Sequence, residues 1–276
     1  MRGDTDGLPD RYIVMDHSRI FDGLSFSIAV WGVQMIAYHG FGLWFEWLDQ
    51  TGRGARFKVR PADRIGYRDL LPRVLFNQTF VLLPAMVLAQ ALGLAYYGSS
   101  HLTTLALVMS CAGLTIGHDV VQYVAHRLVL HDPVNMRKLG HIVHHSTRAS
   151  RGISACYMSA ADFFLEIVCP YLLPLILIGG GGTNFVFHAF IVSAGAYGGV
   201  YEHSGYDFGL ALRKQPGWRR ILGGMLSTEA HGYHHTRGNV SFSDGFGSSN
   251  ICDSVFKTRW DLMPARERRP EANRAV

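Results

Sequence analysis

Charge is scarce in this chain of 276 residues. Charged residues make up 17 % and hydrophobic residues 48 %, where a soluble domain carries about 25 % charged residues. No Asp, Glu, Lys or Arg occurs between Arg73 and Asp119, and none between Glu166 and Glu202. This shortage makes a membrane protein the leading class. Cysteine is also sparse: Cys111, Cys156, Cys169 and Cys252 have no CxxC spacing, which argues against a zinc ribbon, an iron–sulfur cluster or a redox pair and leaves them as packing residues. There is no GxGxxG or GxxxxGK[ST] for a nucleotide and no HExxH for a zinc hydrolase. The charged first twenty residues lack the basic-then-apolar pattern of a cleavable signal peptide, so the first span is expected to act as the targeting signal. The sequence pI near 9.1 suits loops lying against anionic headgroups. Nothing has the grammar of a nucleic-acid binder.

The charge-free runs set the spans. The first is long enough for two helices of about 20 residues, 75–97 and 103–125, with Gly98-Ser-Ser-His101 as the turn. The second, broken by Gly179 to Gly182, is tight for two, so its hairpin is expected to start near Ala160, giving 160–178 and 183–201. An earlier stretch, Leu24 to Leu48, is also long enough to span. Arg53, Arg56, Lys58, Arg60, Arg64, Arg68 and Arg73 follow it, and short loops rich in Lys and Arg stay on the cytoplasmic side. Counting spans from that loop puts every histidine cluster inside as well.

Histidine is the residue in excess. Five of the twenty residues from His126 to His145 are histidine, and His231, His234 and His235 repeat the HxxHH spacing of His141, His144 and His145, with His203 between the two clusters. On a helix, residues at i, i+3 and i+4 leave one face, so each HxxHH can converge on one metal region. His126 and His131 would point roughly 140° apart on a continuous helix, but Asp132-Pro133 breaks the helix and should let His131 swing back. A zinc site takes four protein ligands at most, so nine clustered histidines imply two ions. Imidazole serves iron, copper, zinc and nickel alike, which leaves the metal open. Isolated histidines are usually core or surface residues, the reading given to His17 and His39.

Asp119 and Tyr123 are the candidate catalytic residues beside these ligands. Asp119 lies two turns before His126 on nearly the same azimuth and is placed either to orient a ligand or to pair with Arg127. His118, near a span end, is a possible further ligand.

Together His126-Arg127, His131, HIVHH, YEHSGYDFG at 201–209 and HGYHH followed by FGSSNICDSVFKT resemble the integral-membrane fatty acid hydroxylase and sterol desaturase superfamily. The similarity is greatest to the branch of sterol C4-methyl oxidases and cholesterol side-chain hydroxylases, and LFNQTFVLLP at 75–84 adds to it. Two departures stand out. Relatives often have a histidine where this chain has Gly199, so a tenth ligand would come from His118, His188, a non-histidine group or water. Phe208-Gly209 replaces the usual Phe-Pro.

The resemblance implies an all-α, multi-span helical membrane protein with a cytoplasmic histidine-rich helical cap holding a dinuclear metal site. It divides the chain into a polar arm (1–23), a first span and basic loop (24–69), a catalytic domain (70–260) and a basic tail (261–276). It further implies that His126, His131, His141, His144, His145, His203, His231, His234 and His235 bind two iron ions, with O2 as co-substrate and a lipid-like substrate entering from the bilayer. Electrons would come from a separate donor on the cytoplasmic side, because the chain has no haem, flavin or iron–sulfur motif of its own. Alternatives are a desaturase of the same family, a zinc-dependent membrane hydrolase, or a bis-histidine haem protein. The haem protein would need paired histidines on facing spans.

Overall fold

The structure, a computed structural model, describes residues 25–62, 65–243, 245 and 247–262. The arm at 1–23 with His17, and the tail from 263 onward, lie outside the described residues. In chain order the α-helices are α1 (Phe26–Thr51), α2 (Tyr67–Ala91), α3 (Thr104–Leu130), α4 (Asn135–Lys138), α5 (His141–His145), α6 (Ala160–Leu177), α7 (Phe185–His203), α8 (Trp218–Met225), α9 (Glu229–Arg237) and α10 (Ile251–Val255). Among the described residues there is no strand beyond one isolated antiparallel bridge between Lys58 and Tyr206.

Helices α2, α3 and α6 are long and apolar enough to cross a membrane, as expected of a membrane protein. The stretches read as first and last spans are also helical, α1 and α7, but fall outside that set of three. Their apolar character comes largely from aromatic residues, Ala and Gly, and α1 carries Gln34, His39 and Glu46. They pack chiefly on each other. Polar side chains start the helices where the apolar runs begin. Thr103 accepts the amide of Ala106, Ser159 that of Asp162, and Asn184 that of Phe187, each satisfying a donor that a helix start leaves unpaired. The Gly98 and Gly179–Gly182 turns meet at one end of the bundle, where Ser99 O accepts Thr183 N and Ser100 O accepts Asn184 Nδ2.

Two details set the geometry of the site. Each of the three long helices opens into a π turn, at Gln78–Leu82, Val124–Leu130 and Phe164–Val168, a feature that recurs at functional sites. The basic loop after α1 is also not simply a headgroup-facing surface. Lys58 Nζ donates to Asp49 Oδ1 (2.6 Å) and to the carbonyls of Ser150 and Ser204. Arg60 donates to the carbonyls of Ala149, Glu202 and Thr228. These two cations turn inward because the carbonyls at the ends of three segments converge there, and a buried guanidinium supplies enough donors to satisfy them together.

Helices α3 and α6 approach closely through a small-xxx-small stripe, Gly113 and Gly117, of the kind that lets apolar helices pack backbone to backbone. A Cβ at Gly117 would lie 2.7 Å from Pro174 Cβ, and one at Gly113 2.8 Å from Ile178 Cγ2. Gly117→Leu should therefore cost about 1–3 kcal/mol by overpacking and lower the unfolding temperature in detergent. Gly32→Ala, in a helix interior with nothing within 4 Å of the added Cβ, should not lower it.

Candidate metal centre

The nine histidines gather into two adjoining groups. His126, His131, His141, His145 and His234 offer nitrogens within 4.8 Å of one another, and so do His144, His203, His231 and His235. Each HxxHH was expected to converge on one metal region, but the structure divides it: α5 sends His141 and His145 to the first group and His144 to the second. The helix α9 likewise sends His234 to the first and His231 and His235 to the second. Both racks therefore serve both groups. Gly140, in the left-handed region at φ 75°, turns the chain from α4 into α5, and a Cβ there would meet Ser159 Cβ at 2.8 Å.

The helix does end just before Asp132-Pro133, as expected, and its last turn is what carries His131 to its group. The π turn at the end of α3 closes an i→i+5 bond, His131 N donating to His126 O at 2.9 Å, and this brings residue i+5 over residue i. The two rings end 4.9 Å apart.

The ring nitrogens are sorted by what holds their far side. Nδ1 of His126 donates to Phe242 O (2.7 Å), that of His203 to Gly199 O (2.8 Å) and that of His234 to Val240 O (2.8 Å), while that of His141 donates to Asp162 Oδ1 (2.9 Å). Each bond fixes the tautomer and leaves an Nε2 lone pair facing inward. Inside the first group Nε2 of His141 lies 3.2, 3.1 and 3.0 Å from Nε2 of His126, His131 and His145; inside the second, Nε2 of His203 lies 3.2 and 3.0 Å from those of His144 and His231. Two nitrogens each about 2.1 Å from one ion stand about 3.0–3.4 Å apart, so the spacing suits shared metal ions. Nε2 of His234 and both nitrogens of His235 are buried with no hydrogen-bond partner. Burial first, then neighbouring histidines, hold His144, His145, His231, His234 and His235 well below the usual imidazole pKa and push His131 down to about 2. These six histidines are thus neutral donors, the form that ligates metal.

Asp119 and Tyr123 stand in neither group. Asp119 takes the hydroxyls of Ser243 (2.5 Å) and Ser249 and the amide of Ile251 (2.7 Å), while Asp253 takes the amides of Phe242 and Ser243. Together they fasten the segment whose Phe242 carbonyl orients His126, so Asp119 is linked to that ligand through the segment rather than by contact. Arg127 binds the Tyr123 hydroxyl, whose ring stacks on Phe256. Of the further-ligand candidates, His188 faces Gly182 O at 3.1 Å beside Phe26 and Tyr96, and neither His188 nor His118 joins a metal-holding group. Gly199 serves through its carbonyl, and a Cβ there would meet Ala155 at 3.7 Å. Phe208 stacks on Tyr201. His39 pairs with Gln78 on the bundle. An apolar groove of about 680 Å³ lies between α1 and α7, lined among others by Ile36, Phe41, Trp44 and Tyr197, but by none of the nine histidines.

The sequence reading missed Arg60, Asp162 and Glu166. The two acids lie at i and i+4 in the apolar run of α6, buried against His141. Their signal was available, because ionisable residues at membrane depth default to function. Arg60 is the hinge of the second group, since its carbonyl partners flank α5, His203 and α9. Burial lowers its pKa to about 10, so it remains a cation at neutral pH. Arg60→Met should leave the chain inserted in the membrane while metal in the second group becomes about 10- to 100-fold easier to strip, read by chelator competition. Unchanged competition would show that these carbonyls are held without it.

The family model described as "Fatty acid hydroxylase" matches residues 111–258, a stretch that contains all nine clustered histidines. A fatty acid hydroxylase domain-containing protein 2 of Macaca fascicularis is 24 % identical over 226 residues. The matched region is 76 % of this chain and 60 % of that relative, so the chain spans less than two thirds of the relative's length. No solved structure matches the chain. With the family match covering more than half of the sequence and every residue of the two histidine groups, this chain belongs to the fatty acid hydroxylase family.

Proposed function

We propose that this protein is a multi-pass membrane oxygenase whose nine histidines hold two iron ions and which hydroxylates a C–H bond of a lipid-like substrate with O2. The observation that carries it is the pair of adjoining imidazole groups with inward lone pairs 3.0–3.2 Å apart, which supports two metal positions rather than one. Bound iron supplies the O2 chemistry that the side chains of this chain lack. The side chains do the rest. Asp162 and the carbonyls of Phe242, Gly199 and Val240 keep the Nδ1 protons outward, and the Phe242 ring packs 5.2–6.0 Å from those of His126, His131 and His234. That cover keeps water from the first group and favours attack on an apolar substrate over solvent.

Sidedness follows from the basic residues at the histidine end. Arg53, Arg56, Arg68, Arg137, Lys138 and Arg148 are exposed there, while the opposite turns at 92–103 and 178–184 carry no Lys or Arg. This asymmetry supports a cytoplasmic site. Helix α8 exposes Trp218, Ile221 and Met225 next to Arg219 and Arg220, a pattern suited to lying at headgroup level beside the site. A lipid can then enter from the bilayer while a separate electron donor approaches from the cytoplasm.

The test is expression in a host of defined lipid content, with metal analysis of the purified protein and mass spectrometry of the lipids. Gain of one oxygen atom, lost without O2, is expected. Loss of two hydrogens would assign desaturation instead, and zinc alone with O2-independent activity would overturn the reading. His144→Ala and His234→Ala should abolish product while the protein still inserts, and His39→Ala should keep its metal.

His203 and Asp207 give a sharper comparison. His203 Nε2 sits between those of His144 and His231, so His203→Ala should bring iron toward one ion per chain and stop oxidation. Asp207 instead accepts from Arg213 and Ser227, and its amide donates to Phe57 O. Asp207→Asn should therefore cost only about 10- to 100-fold in activity. Two irons retained in His203→Ala would remove that residue from the site.

A further inference from the structure

Glu166 lies where the two histidine groups meet. Its Oε1 is 3.7 Å from Nε2 of His126, in the first group, and 3.7 Å from Nε2 of His144, in the second. Both nitrogens are the inward ones of their rings. The side chain is 6 % exposed and Oε2 has no hydrogen-bond partner. With His141 and Asp162 it forms a third cluster able to hold a metal ion.

The bland role for this carboxylate is to orient His141, whose Nδ1 is 3.4 Å from Oε2. That role is already filled: the single Nδ1 proton goes to Asp162 Oδ1 at 2.9 Å. Asp162, one turn before it on α6, and Gln122 on α3 both hydrogen-bond the carboxylate, which positions Glu166 but brings no positive charge. Burial and its histidine neighbours keep His144 neutral, and a buried carboxylate that carries charge is paired with a cation or bound to a metal.

The backbone is arranged for the same end. Helices α3 and α6 meet where each opens into its π turn, one carrying His126 and the other Glu166. Such turns are rare and concentrate at functional sites. Two divalent ions among nine neutral imidazoles would also leave four positive charges in a buried site. One carboxylate between them would offset part of that.

We propose that Glu166 is a metal ligand of this centre, its carboxylate shared between the two ions held by the histidine groups. This rests on the two-iron reading above. The inference assigns a tenth protein ligand and a bridge that the histidines cannot provide, since each imidazole offers one inward nitrogen.

The test uses the full chain loaded with iron, as wild type and as Glu166→Gln. Iron per chain, resistance to a chelator and magnetic coupling between the ions by Mössbauer spectroscopy are the readouts. Wild type should hold two coupled ions. Glu166→Gln should lose the coupling and release one ion at least about tenfold more readily, the scale seen when even an outer partner of a metal ligand is removed. Because the variant's folding could interfere, infrared difference spectra of wild type with carbon-13 labelled Glu carboxyls provide a second measurement. Iron loading should shift a glutamate carboxylate band. Two coupled ions in Glu166→Gln, or no carboxylate shift in wild type that holds two ions, would overturn the bridge alone. Wild type that holds no pair of ions would instead overturn the oxygenase reading.

Discussion

Nine imidazole lone pairs converge on a buried region, and the rest of the structure has to tolerate that until something binds them. Each buried polar atom without a partner costs about 1–3 kcal/mol, and His234 and His235 alone leave three such nitrogens. The stability that holds them in place comes from elsewhere: the packing of α1 on α7, the close approach of α3 to α6 at Gly113 and Gly117, and a core that includes Tyr38, Phe45, Met86 and Phe163. Metal binding would then stabilise the fold through the same nitrogens, because ligand free energy adds to folding free energy when only the folded chain presents the site.

Two clamps keep the imidazoles aimed. In one, Asp119 and Asp253 gather the amides and hydroxyls of 242–252, which presents the Phe242 carbonyl to His126. In the other, Lys58 and Arg60 gather carbonyls from 149–150, 202–204 and 228, locking both the end of α7 and the start of α9. The EHSGYD stretch owes its form to this second clamp. Gly205 O accepts the amides of Val59 and Arg60, and the Tyr206 hydroxyl reaches Asp49. A buried cation bonded to several carbonyls is costly to disturb, since removing it strands every acceptor at once.

Much of the site was legible in the sequence because histidine spacing and helix geometry share one period. HxxHH puts its imidazoles on one side of a short helix whatever surrounds it, so the two racks could be read from residue numbers alone. What could not be read were the long-range bonds and the departures from the 3.6 period. A π turn has no simple sequence mark, so the pairing of His126 with His131 was attributed to the Asp132-Pro133 break. Arg60 looked like one more basic loop residue, since nothing local distinguishes an arginine that turns inward from Arg53, Arg56, Arg68 and Arg73, which face out. Asp119 was near its ligand in azimuth but spends its acceptors on a segment more than 120 residues away. The candidate spans were plain where aliphatic residues dominate, in α2, α3 and α6, whereas α1 and α7, helical as expected, fall outside the set long and apolar enough to cross a membrane. There, aromatic residues, glycines and scattered polar side chains fill helices that mainly pack on each other.

The arrangement of the site residues along the bundle bears on the proposed function. His126, Asp162 and Glu166 lie on α3 and α6, helices apolar enough to span, with His131 at the end of α3, whereas α5, α9 and the end of α7 bring the other seven histidines. The two groups therefore straddle the border between apolar helices and cap. Under the proposed function, such a border would let a C–H bond held in a bilayer and an electron donor confined to water both come within reach, because neither has to leave its own solvent. The π turns make this possible from the membrane side. Those of α3 and α6 carry His126 and Glu166, so these residues stay tied to the apolar bundle.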